Sequence, residues 1–139
     1  MKRFERLRAD QRGQVTAYVV TIAVAAFAFG GLVLDGGLGL AAKVRAMGQA
    51  QEAARAGAQE IDVAAYRADG TLRLLPARAT AAAQNHLAAS HHTGSVSVTD
   101  NTVTVTVTIH QRSQLLSLFA VDTITVTGRG EAQPQRGIS

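Results

Sequence analysis

The side chains able to do chemistry are few in this sequence, and they do not gather. There are four histidines, His86, His91, His92 and His110, and no cysteine. His86 and His91 stand five residues apart, not the four that would set two imidazoles on one helical face, and no HExxH motif or acidic cluster accompanies them. Surface histidines are therefore expected, not metal ligands. Asp35, Glu52, Glu60, Asp62 and Asp69 are separated enough to be ordinary solvated charges, and the serines fall mainly in an alternating segment or at helix caps. No thiolate nucleophile is available. No glycine-rich loop follows a strand in the way that phosphate binding needs. The expectation is a protein that is not an enzyme, with no cofactor and no small-molecule substrate. Tryptophan is absent and aromatic residues make up 4% of the chain, so a recognition surface built on aromatic anchors is poorly supplied.

What the elements have to position is instead a stretch of oil. Val15 to Leu34, VTAYVVTIAVAAFAFGGLVL, is twenty residues without a charge. As a helix it is roughly 30 Å long, the thickness of a bilayer's hydrocarbon core. A buried helix of a soluble domain seldom reaches this length between a charged cluster and an aspartate. The preceding segment holds Lys2, Arg3, Arg6, Arg8 and Arg12 against Glu5 and Asp10, a net of +3 in a chain whose total is +4. Lys/Arg-rich flanks stay on the cytoplasmic side, which predicts an inner N-terminus and an outer C-terminal region. The basic tail has no interleaved aromatics and abuts the span, so anionic lipid accounts for it better than nucleic acid.

Ala26-Phe27-Ala28 is a small-x-small triplet acceptable to a signal peptidase, but the apolar run continues beyond it to Leu34. A retained anchor is favoured, with a cleaved signal peptide as the alternative. Ala26 and Gly30, and again Gly37 and Ala41, are four residues apart, the interval at which small residues let helices approach closely in lipid. Asp35, Gly36 and Gly37 form the membrane exit. Asp35 reads as the charge that ends the span among headgroups, and the glycines of DGGLG as a soft joint or close-packing patch.

The chain thus divides into a basic cytoplasmic tail (1–14), a transmembrane helix (15–34) and an extracytoplasmic α+β domain (35–139). Without cysteines, no disulfide can brace that domain. Leu40, Val44, Met47, Gln51, Ala54, Ala58, Ile61 and Ala65 are spaced as a heptad seam, predicting a helix over 38–66 that packs on the protein's own sheet or on neighbouring subunits. Glu52 can reach Arg55 one turn on. Arg67 to Thr71 reads as a turn, Leu72, Leu74 and Leu75 as an apolar stub, and Pro76 as the opening of a second helix over 77–90 that stops at Gly94.

Alternating valines and threonines predict strands over 95–99 and 102–110, joined by Asp100-Asn101 as a two-residue hairpin loop. With that loop, Val98 faces Val103 and Val96 faces Val105, so the valines share the core side and the threonines the other. Ser113 caps a short helical crossover whose Leu115, Leu116, Leu118 and Phe119 are expected to roof the core; re-entry into the membrane is not expected of so short a run. A third strand over 122–127 completes a small antiparallel sheet, and the chain from Gly128 reads as a frayed tail.

Four features together resemble the minor pilins of the tight-adherence (Tad, Flp-type) pilus system, on the TadE/TadG side and closer to the TadG-like proteins. They are Asp10-Gln11-Arg12-Gly13-Gln14 before the span, Gly31-Leu32-Val33-Leu34-Asp35-Gly36-Gly37 at its outer end, the helix Gln49 to Ala58, and the alternating Val/Thr strands. The resemblance covers residues 10–60, and the remainder in pattern. It implies a single-pass cell-membrane protein with a pilin-like helix. Such a protein is a structural or assembly component of an envelope-spanning pilus or protein-secretion machine. Its partners are the lipid bilayer and other pilus subunits or platform proteins.

In pilins and TadE-like proteins a prepilin peptidase cuts after a glycine, with a glutamate five residues on. Here the matching bond is Gly13–Gln14, and Tyr18 stands where the glutamate would be. TadG-like proteins commonly lack that glutamate, so the resemblance implies an uncut N-terminus. A signal-anchored or secreted β-rich module that binds a cell-envelope polymer through its threonine face is the alternative.

Overall fold

The computed structural model describes residues 2–136, with side chains from Gly13 onward. The charges of the basic tail, Lys2 to Arg12, lie outside the described side chains. The protein is α+β: α1 (Lys2–Ala58), α2 (Val63–Asp69), α3 (Pro76–Ala89), β1 (Thr93–Thr99), β2 (Thr102–Arg112), a 3-10 turn η1 (Leu116–Phe119) and β3 (Thr123–Ala132). It forms two compact units. One comprises the chain up to Gly37 together with Ser113–Asp122; the other comprises Leu38–Arg112 and the chain from Thr123.

In the second unit the three strands form an antiparallel sheet in the order β1-β2-β3. Val98 pairs with Val103 and Val96 with Val105, the register the two-residue loop demands. Asp100 takes the left-handed conformation at φ 53°. Val103, Val105 and Val107 are fully buried, with Leu74, Ala79, Ala83 and Leu87 among their core companions. Asn101, the other loop residue, reaches the apolar stub: its Oδ1 accepts from the Leu74 amide at 2.8 Å and its Nδ2 donates to the Leu72 carbonyl at 2.8 Å.

The chain from Gly128 is not a frayed tail. β3 runs on to Ala132, setting Gly128 opposite Val107 and Gly130 opposite Val105. A Cβ on Gly128 would lie 2.3 Å from the backbone of Ala46 and Met47, and one on Gly130 would lie 2.4 Å from the Gln51 amide nitrogen. Only glycine permits this approach, in which helix and strand meet backbone to backbone. Ala42, Ala46, Ala50, Ala53, Ala54 and Ala58 are buried on the face of α1 that this close packing requires.

The heptad seam is therefore not the buried face in its first half. Leu40, Val44 and Met47 are 66%, 63% and 48% exposed, while the alanines take the interior. Bulk drew the seam; clearance decides the packing, because the glycines of β3 leave room for a methyl group and no more. The predicted helix over 38–66 is corrected on two counts. α1 is helical through Gly36, Gly37 and Gly39, so no joint lies there. It also ends at Ala58, before Ile61 bridges to Leu74 and Asp62 caps the separate α2 by accepting from the Ala65 amide. Of the five residues read as a turn, Arg67 to Asp69 end α2, Gly70 closes it at φ 73°, and Thr71 lies beyond. α3 opens at Pro76 and ends at Ala89, short of Gly94.

Candidate functional site

The first unit carries the apolar helix. Among the described residues one helix, within Gly13–Ala58, is long and apolar enough to cross a membrane. From Val15 to Leu34 nearly every large apolar side chain points outward. A protein in water does not leave such a surface bare.

At the C-terminal end of the apolar run stands the one buried charge among the described residues. Asp35 is 1% exposed, so it does not sit open among headgroups as the sequence suggested. Its Oδ2 accepts from the Ser113 hydroxyl at 2.7 Å, the Leu115 amide at 3.0 Å and the Leu116 amide at 2.6 Å, and its Oδ1 accepts from the Gln114 amide at 2.8 Å. Four donors on one carboxylate hold the anionic form. The Leu116 amide contributes most, Ser113, Gln114 and Leu115 add to it, burial opposes it, and the carboxyl is lowered to about 2.

Asp35 thereby organises the segment that follows β2. Ser113 does not cap the short turn; it donates to Asp35, and η1 begins after Leu115. Nor does the segment roof the core. Leu118 is 80% and Phe119 62% exposed, with Leu115 and Val121 also outward, and none belongs to the buried cluster. Leu115 packs instead on Gly31, where an added Cβ would lie 3.1 Å from the Leu115 Cβ. Ala26, Phe27, Gly30, Gly31 and Leu115 line a shallow apolar notch.

The other residues singled out from sequence are placed as follows. Gly13, Gln14 and Tyr18 are exposed on α1. Ala26, Gly30, Gly37 and Ala41 are all exposed, with open space beside Gly30 and Gly37. Gly36 is likewise exposed, so of the membrane-exit motif only Asp35 is engaged. Glu52 lies 3.7 Å from His86 on α3 rather than paired with Arg55. His92 Nδ1 is 2.6 Å from the Ser90 carbonyl, and His110 Nδ1 is 3.0 Å from the Thr125 hydroxyl. Among the described residues no three of His, Asp and Glu converge on a common point. An open cleft of about 730 Å³ in the second unit is lined by Gln51, Arg55, Gln59, Thr102, Glu131 and Gln133 among others, and carries no nucleophile–base pair.

Sequence reasoning missed the clasp between Asp35 and Ser113–Leu116. The available signal was an aspartate directly after an apolar span combined with a second uncharged run, QLLSLFAV, whose residues had no place in the sheet. No protein-family model, curated protein or solved structure matches the chain.

Proposed function

We propose that this chain is a membrane-anchored structural or assembly component, minor pilin-like and nearest the TadG-like proteins, of a Tad/Flp-type pilus or related secretion machine. Its N-terminus lies in the cytoplasm, residues 35–139 lie outside, and it works by packing helices against other subunits. The observation that carries this reading is the face its own domain leaves uncovered. Leu40, Val44 and Met47 repeat at helical spacing on α1 directly beyond the span, and all three are exposed while the alanines beside them are buried. Three large apolar side chains in one line are what a neighbouring helix covers. Ala26, Gly30, Gly37 and Ala41, also exposed, supply small positions suited to close approach. The sequence resemblance supplies the kind of machine.

Tyr18 in place of a glutamate goes with an N-terminus that stays uncut. A carboxylate within the span would have given a partner's terminal ammonium its counter-charge, and a phenol does not.

The test is photo-crosslinking in the native cell with p-benzoylphenylalanine in place of Val44, and in place of Asp100 as a control on the hairpin. Val44 is expected to give a discrete adduct with a pilus subunit or platform protein, and Asp100 none. No adduct at Val44, or release of a product starting near Phe29 into the medium, overturns the proposal in favour of an envelope-polymer binding module.

A further inference from the structure

The first unit holds an apolar surface that the proposed function does not use. From Ser113 to Val121 the chain carries no charge, and Leu115, Leu118, Phe119 and Val121 all face outward. Two observations indicate what covers them. The first is continuity: Leu115 packs on Gly31 of the apolar helix, within the same compact unit, so the loop's greasy face adjoins the helix's own.

The second is the accounting of backbone polarity. The amides of 114–116 donate to Asp35, and the Ser113 hydroxyl does the same. The Ser113 amide donates to the Asp122 carbonyl, closing the loop on itself. Leu118, Ala120 and Val121 donate to the carbonyls of Leu115, Ser117 and Leu116, and the Ser117 hydroxyl donates to the Gln114 carbonyl. A surface loop in water has no need to satisfy its donors internally. A loop in hydrocarbon must.

We propose that residues 115–121 are a second membrane contact, a knob seated in the outer leaflet of the bilayer that α1 crosses, with Asp35 as the residue that pins it beside the span. The inference rests on the membrane-spanning reading above. It adds to that reading that the outer domain is tethered to the lipid surface at two points rather than one.

The chain has no cysteine, so single-cysteine variants are available without background. The full chain carrying Leu118→Cys, Ile22→Cys or Ser97→Cys is labelled with an environment-sensitive fluorophore. It is reconstituted into vesicles of phosphatidylethanolamine and phosphatidylglycerol, with and without doxyl-labelled lipid. The label at 118 is expected to be blue-shifted and quenched by doxyl lipid, as at 22, while that at 97 is neither. Adding Asp35→Asn is expected to abolish quenching at 118 and leave it at 22.

Quenching at 22 with a label at 118 that behaves like 97 overturns the knob and leaves the span standing. No quenching at 22 removes the span itself, and the knob with it. A label at 118 that is blue-shifted but insensitive to doxyl lipid means that protein covers the loop, which also overturns the proposal. Unchanged quenching at 118 in Asp35→Asn overturns the role given to Asp35.

Discussion

The two units of this protein are held together by opposite means. In the second, the interior is small aliphatic side chains and bare backbone. Val103, Val105 and Val107 lie among alanines of α1 and α3, and Gly128 and Gly130 let a strand lie directly on a helix. Among its described residues no charged one is buried. In the first, there is no such interior, and a single carboxylate with four donors gathers a loop onto an otherwise uncovered apolar helix. Each arrangement tolerates a different insult. Close packing fails when volume is added, whereas a charge clasp fails when its proton balance changes. The two are therefore separable by perturbation.

The largest effect is expected from Gly130→Val. A side chain at that position must push α1 away from β3, because its Cβ alone would lie 2.4 Å from the Gln51 amide nitrogen. Overpacking a core costs about 1–3 kcal/mol, and displaced backbone puts this variant at or above the upper end. Denaturant unfolding followed by circular dichroism in detergent reports it. The clasp of the first unit should survive, since none of its donors belongs to the sheet.

Acid is the converse perturbation. Asp35, one residue beyond the apolar run, has its carboxyl held at about 2 against an ordinary 3.8. A depressed carboxyl stabilises the folded form above its ordinary value, and that contribution fades as pH falls through 3.8 towards 2. The loop over 115–121 is expected to become susceptible to pepsin across that interval. The second unit has a lowered carboxyl of its own, Asp69, held by Thr71, but it is exposed at the end of α2 and outside the core, so the strand signal should outlast the loop; simultaneous loss of both would break the distinction.

A smaller change sharpens it from the other side. Gly48 is exposed on α1 with open space where a Cβ would stand, so Gly48→Ala adds no clash and should raise stability by about 0.5–1 kcal/mol. Two glycines within one unit then give effects of opposite sign, according to whether backbone lies against them. Least of all is expected from Glu131→Gln. Glu131 pairs with Arg129 at 2.6 Å, but both side chains are more than half exposed, and such pairs are worth at most about 1 kcal/mol.

How much of this was legible in the sequence follows from which forces act locally. The hairpin register was legible because alternation and a two-residue loop leave one solution, and Val98 opposite Val103 is that solution. The opening of α3 was legible because proline has one preferred place in a helix. The buried face of α1 was not. Leu40, Val44 and Met47 outweigh the alanines in any count of hydrophobicity, and only the glycines of β3, eighty residues on, reverse the choice.

The end of α1 and the extension of β3 were misjudged for the same reason: each is settled by a distant partner, Leu74 for the first and the α1 backbone for the second. For Asp35, the residue was singled out but its environment was not. A charge after an apolar run invites solvent as its partner, and the structure supplies instead the Ser113 hydroxyl and the amides of Gln114, Leu115 and Leu116.

Whether the apolar helix crosses a bilayer, as the proposed function requires, is read from the location of its two flanks. Single cysteines in place of Gln11 and Ser97, probed in intact spheroplasts with a membrane-impermeant maleimide, test it directly. Ser97→Cys is expected to react from outside and Gln11→Cys only after permeabilisation, with both variants recovered at full length in the membrane fraction. Reaction of both only after permeabilisation, with the chain recovered in the soluble fraction, would contradict it.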